Sequence, residues 1–162
     1  MIWGMSTQTF TVVHVIISLV GIITGFLVLF GMIGGKRMDA MTAVFLVTTV
    51  LTSVTGFGFP FTHLLPSHKV GIISLVVLAV AIGARYGCRL KGVWRSLYVL
   101  TAAMALYLNV FVLVVQAFLK VPALHQYAPK GNEPPFLFAQ LAVMIVFITL
   151  TIRALRGFHR AG

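Results

Sequence analysis

Few side chains in this chain could do chemistry, and they are unevenly placed. His14 lies inside an apolar run. His63 and His68 share the connector Phe61-Thr62-His63-Leu64-Leu65-Pro66-Ser67-His68-Lys69, and His125 precedes Glu133 by eight residues. Gln116 and Gln140 each sit about one helical turn inside an apolar run. Burying such groups in lipid is expensive, so they should face one another or the interior of a bundle. His14, Gln116 and Gln140 therefore predict a polar layer, with His125 and Glu133 in a loop above it as further ligand-binding candidates.

Three ligands suit these residue types. A transition metal could take neutral imidazoles from His63, His68 and His125 with the Glu133 carboxylate. Haem could take His14 as an axial ligand. A quinone could hydrogen-bond to His14 and a glutamine while its tail stays in lipid. The spacing favours none of them: HxxxH and HExxH are absent, and His63 and His68 are five residues apart in a connector. The plain alternative is interfacial histidines and amides satisfied between helices, and Asn109 near mid-span reads as such an interhelical hydrogen bond.

Other catalytic patterns are missing. The chain has no GxSxG, no P-loop and no GxGxxG. Its two acids, Asp39 and Glu133, fall on opposite predicted faces, so paired-carboxylate chemistry is excluded. Cys88, the single cysteine, cannot build a cysteine-based metal site or an internal disulfide.

The elements that must position these groups are apolar helices. The chain is 60% hydrophobic and 9% charged, with mean hydropathy +1.07, whereas a soluble domain carries about 25% charged residues. Five runs, 10–33, 40–59, 70–86, 96–119 and 135–152, are almost free of charge. A spanning helix needs about 20 apolar residues, with about 17 as a lower limit. The expectation is an all-α integral membrane bundle of five transmembrane helices forming one domain over residues 1–162. No base precedes Lys36, so the first run does not read as a cleaved signal.

The bases orient the bundle. With the N-terminus outside, nine of the 12 Lys and Arg residues fall inside: Lys36, Arg37, Arg85, Arg89, Lys91, Arg95, Arg153, Arg156 and Arg160. Only Lys69, Lys120 and Lys130 fall outside. Positive residues resist translocation, so the richer side is cytoplasmic. The chain is thus expected in the cell membrane, multi-pass, with its C-terminus in the cytoplasm. The net charge of +10 then reads as topology signals and contacts to anionic lipid, not as a nucleic-acid surface. Arg85, at the inner end of the third run, is expected to snorkel to the head groups.

Ile16-Ile17-Ser18-Leu19-Val20 recurs as Ile72-Ile73-Ser74-Leu75-Val76, an offset of 56 that also carries Gly31 onto Gly87. This reads as a parallel tandem repeat of two helical hairpins, with the fifth helix outside it. Gly21-x-x-x-Gly25 and Gly83-x-x-x-Gly87 are both spaced for close helix packing. The His14 run, its Gly34-Gly35-Lys36-Arg37 connector and the following span resemble uncharacterised small multi-pass bacterial inner-membrane proteins. The resemblance covers about the first four spans and implies a helical inner-membrane bundle without implying an activity.

Three functions are compatible with this pattern. The first is a small accessory or binding subunit with an outer His/Gln belt, in contact with lipid and with a membrane-protein partner or further copies of itself. The second is a redox or ligand-binding protein holding haem, quinone or a metal near the outer face. The third is a small oligomeric transporter or channel, for which intact spans without central charge offer little.

Overall fold

The computed structural model describes residues 4, 6–36, 38–56, 66–87, 92–120, 122–126 and 133–158. Among the described residues six α-helices run in order: α1 (Thr7–Ile33), α2 (Asp39–Gly56), α3 (Pro66–Ile82), α4 (Val93–Lys120), α5 (Pro122–His125) and α6 (Pro134–Phe158). A π-helical turn, Gly83–Gly87, continues α3. Among the described residues there is no strand.

Local chemistry sets the ends. The Ser6 hydroxyl caps α1, accepting from the Thr9 amide at 3.1 Å, and so satisfies one of the first-turn donors. Gly35 ends α1 at φ 76°, a left-handed conformation that glycine adopts at little cost. The Gly35 and Lys36 amides then bond back to the Met32 and Gly31 carbonyls at 3.0 and 2.8 Å. Asp39 opens α2, where a carboxylate complements the helix dipole. Pro134 and Pro135 begin α6, where their missing amides cost nothing, and the Glu133 carbonyl accepts from Phe136 and Leu137.

Among the described residues four helical segments are long and apolar enough to cross a membrane: Gln8–Ile33, Lys69–Gly87, Val93–Val115 and Pro134–Phe158. These match four of the five expected spans. The fifth corresponds to α2, whose apolar part, Asp39–Thr55, is shorter than the other four. The end of that expected span, 57–59, lies outside the described residues.

α4 is the hub of the bundle, touching α1, α2, α3, α5 and α6. Its N-terminal half is lined with Ala102, Ala103 and Ala105, all buried, so neighbouring backbones approach closely. Phe45, Leu29, Leu78, Tyr98, Leu106 and Phe147 complete the core. The outward surface is apolar too: Ile16, Ile23, Val47, Val76, Phe138 and Ile145 are all exposed, an arrangement suited to lipid and costly in water.

The two glycine motifs part company. A Cβ on Gly25 would stand 2.6 Å from Leu106 Cδ1 and 2.9 Å from Phe45 Cε1, and one on Gly21 would stand 3.1 Å from Thr48 Oγ1. This pair seats α1 against α2 and α4. Gly83 and Gly87 are exposed, and a Cβ on either meets nothing within 4 Å among the described residues. The expected packing role of the second motif within the chain is therefore not observed. A closer approach involves Gly157, whose Cβ would collide with the Ile33 carbonyl and stand 2.6 Å from Met32 O. It brings the end of α6 onto the end of α1, and no Gly-x-x-x-Gly pattern announced it.

Candidate functional site

The polar groups of the helices fall into two clusters along α2. One cluster, in the C-terminal half of α2, grows from the hydroxyl-rich stretch Thr48-Thr49-Val50-Leu51-Thr52-Ser53-Val54-Thr55. Thr49, Ser53 and Thr55 are buried, and each ties α2 to a different helix. Thr55 Oγ1 is 2.7 Å from His14 Nδ1 on α1. Ser53 donates to Ser74 on α3 at 3.2 Å. Asn109 on α4 donates to Thr49 at 3.5 Å, which is the interhelical role expected of it.

The His14 contact assigns a tautomer. The single Thr55 hydroxyl proton is directed at the Leu51 carbonyl, 2.7 Å away, so its oxygen acts as acceptor towards His14. Nδ1 is then the donor in this contact. A ring fixed through one nitrogen is how proteins orient a histidine whose other nitrogen serves as a ligand. It is equally how a helical pair is held.

Gln140 is buried on α6 and donates from Nε2 to the Phe111 carbonyl on α4 at 3.2 Å. Its Oε1 is buried and meets no hydrogen-bond donor among the described residues. Glu133 is half-buried just before α6. Gln116 lies on α4, His125 on α5 and His68 in the first turn of α3, but their side chains lie outside the described part of the structure, as does all of His63. Among the described residues no group of three or more His, Cys, Asp or Glu side chains comes together. The hydrogen bonds described for the expected outer belt thus join His14 to α2 and Gln140 to α4.

The second cluster, at the N-terminal end of α2, was not foreseen. Arg85 does not snorkel. The π-helical turn carries it inward, where its side chain is 2% exposed and forms an ion pair with Asp39 of α2. Its guanidinium lies 5.2 Å from the Tyr98 ring centroid and 5.9 Å from that of Tyr86, so π faces supply part of the stabilisation that water would otherwise give. Tyr98 in turn packs on Phe158, 5.8 Å between centroids, and Arg95 lies 5.7 Å over the same Phe158 ring. One arginine thereby links α2, α3 and α4, and its aromatic neighbours extend the contact to α6. The sequence signal was an isolated base followed by an aromatic inside a Gly-x-x-x-Gly, but only the π turn decides which way it points.

An apolar layer separates the clusters. On α2 the step from the buried Thr42, one turn after Asp39, to Thr49 is about 10 Å; Phe45, Leu46, Leu29 and Leu106 occupy it, and the buried Thr24 hydroxyl of α1 bonds to its own helix at the Val20 carbonyl.

Comparison with family models, characterised proteins and solved structures gives no match to the chain.

Proposed function

We propose that this chain is a five-span protein of the cell membrane, N-terminus outside and C-terminus in the cytoplasm, that serves as a small accessory or binding subunit. The observation that carries this reading is where polarity is spent. His14, Thr49, Ser53, Ser74, Thr55, Asn109, Gln140, Asp39 and Arg85 all make contacts between helices, while the outward faces stay apolar. α6 is the least covered of the four long helices, with 11% of its most apolar window buried against 39% for α4. Such a helix is available to a neighbouring membrane protein as well as to lipid.

With 18 residues, α2 is about 27 Å long, close to the roughly 30 Å hydrocarbon core, which supports counting it as a span. The close pairing of α1 with α2 and of α3 with α4 fits two like-oriented hairpins. The environments of the repeated residues have diverged: Ser74 bonds across to α2, whereas Ser18 bonds to Val15 of its own helix.

A second reading is favoured by Gln140 Oε1. A buried acceptor beside α4 suits a ligand bearing a hydroxyl or N–H, such as a quinol. The test is purification in mild detergent followed by a visible spectrum and metal analysis. The accessory reading expects a colourless, metal-free protein that migrates with a partner. A Soret band lost on His14→Ala, or stoichiometric metal lost on His125→Ala, would overturn it in favour of the second reading.

A further inference from the structure

Charge gathers at one end of the bundle. The ends of α1 and α6 meet there, with Gly157 packed on the Ile33 carbonyl. The start of α4 joins them, with Arg95 over Phe158, and so does the start of α2, with Asp39 paired to Arg85 beside Tyr98. Five bases are described at this end, Lys36, Arg85, Arg95, Arg153 and Arg156, against one acid, Asp39. Asp39 is taken by Arg85, and Arg95 donates to the Phe158 carbonyl at 3.5 Å. Lys36, Arg153 and Arg156 are exposed, and their side chains have no acidic partner among the described residues.

These three bases flank a single seam. The Phe26 ring of α1 lies 5.6 Å from the Phe147 ring of α6, and further along both helices Ile33 meets Gly157, so α1 and α6 run in the same direction. Arg153 stands one turn before Gly157 on the same ridge, about 6 Å back along α6, and Phe30 stands about 4.5 Å back from Ile33 along α1. Arg153 and Phe30 therefore lie at nearly the same depth on the two sides of the seam. Arg156 follows Arg153 by three residues, a spacing that makes them neighbours on the helix surface. Lys36 closes the group from α1, where its amide bonds back to the Gly31 carbonyl at 2.8 Å and folds the chain over the helix end. Away from the bases the border of the seam is apolar: Phe30 is 54% exposed, and Val146, about two turns back from Arg153, is 52% exposed.

We infer that this end of the α1–α6 seam holds the phosphate of an anionic phospholipid among Lys36, Arg153 and Arg156, with an acyl chain lying over Phe30 and Val146. Three cations without an acidic partner, bordering an exposed apolar strip, are complemented by an anion carried on an apolar body. Basic clusters between transmembrane helices bind such head groups. A zwitterionic head group brings an ammonium that the same bases repel. Assignment of the lipid to the cytoplasmic leaflet rests on the proposed topology; the seam and its charge preference do not.

The test uses the full chain in mild detergent, titrated with phosphatidylglycerol or phosphatidylethanolamine of matched acyl chains and read by native mass spectrometry. The expected result is about tenfold tighter retention of phosphatidylglycerol. One base near an anionic lipid surface is worth about a factor of five, so Arg153→Gln and Arg156→Gln should each cut the preference about fivefold and together abolish it. Arg153→Lys should keep it. Lys69→Gln, which removes an exposed base in the first turn of α3, should leave it unchanged. The two arginines are exposed, so their replacement spares the packed core. Equal retention of the two lipids by the unaltered protein, or a preference that survives the double substitution, would overturn the proposal. Displacement of the lipid by inorganic phosphate would overturn it in favour of a soluble anion. An effect of Lys69→Gln as large as that of Arg153→Gln would overturn it in favour of net charge alone. Loss of a copurifying protein on the double substitution, with both lipids retained equally, would assign the bases to an acidic partner instead. The detergent titration is blind to sidedness, so an error of topology does not alter its outcome.

Discussion

Gly157→Ala is a small change with a large expected consequence. The added Cβ would run into the Ile33 carbonyl and stand 2.6 Å from Met32 O. Those are backbone atoms at the end of α1 and cannot swing away as a side-chain tip does. The helices must separate, and overpacking of this kind costs about 1–3 kcal/mol. Alanine's better helix propensity returns up to about 1 kcal/mol. Because relief requires moving a whole helix, the upper end of the range applies, and the net loss should be about 2 kcal/mol. At about 2–4 °C per kcal/mol for a chain of this size, the unfolding midpoint should fall by roughly 4–8 °C. Thermal retention in detergent, followed by size-exclusion of the surviving monodisperse protein, measures it. A midpoint unchanged or raised would refute the close approach of α6 to α1.

The same assay reads the other packing claims. Gly83→Ala, in open space at the start of the π turn, should be neutral or slightly stabilising, while Gly25→Ala, against Leu106 and Phe45, should destabilise; equal effects would contradict the division between the two motifs. Asp39→Asn should cost about 1–2 kcal/mol, less than the 3–5 typical of a broken buried pair because Asp39 is largely exposed. Adding Arg85→Met removes the stranded charge, so the double variant should be no less stable than Asp39→Asn alone; a markedly weaker double variant would refute the pairing. His14→Gln should leave the fold intact and cost about 0.6 kcal/mol, the mean for an interhelical membrane hydrogen bond, and a collapse in folded yield would mean that His14 does more than hold Thr55.

Much of the bundle was legible in the sequence because lipid simplifies the problem. Charge-free runs leave only helices, and Lys36, Pro134 and Asp39 mark where helices end or begin. The pairing of polar groups was less legible. His14, Gln140 and Asn109 were recognisable as polar residues at the wrong depth for lipid, but their partners, Thr55, the Phe111 carbonyl and Thr49, depend on how the helices are rotated. Hydropathy says little about rotation when a helix is apolar on every side. Arg85 shows this most clearly: its distance from the span's end suggested snorkelling, and a π-helical turn sends it inward instead. The glycine motifs make the same point, since identical spacing gives a packed surface on α1 and an open one at the end of α3.

The most direct test of the account is the sidedness of the chain in intact cells. Single cysteines introduced in place of Lys36, His63, His125 and Gly162, with Cys88 replaced by serine, would be labelled with a membrane-impermeant reagent. The account predicts that positions 63 and 125 react from outside, while 36 and 162 react only after the membrane is opened. Labelling of position 162 from outside, or of 36 and 63 from the same side, would contradict the five-span topology.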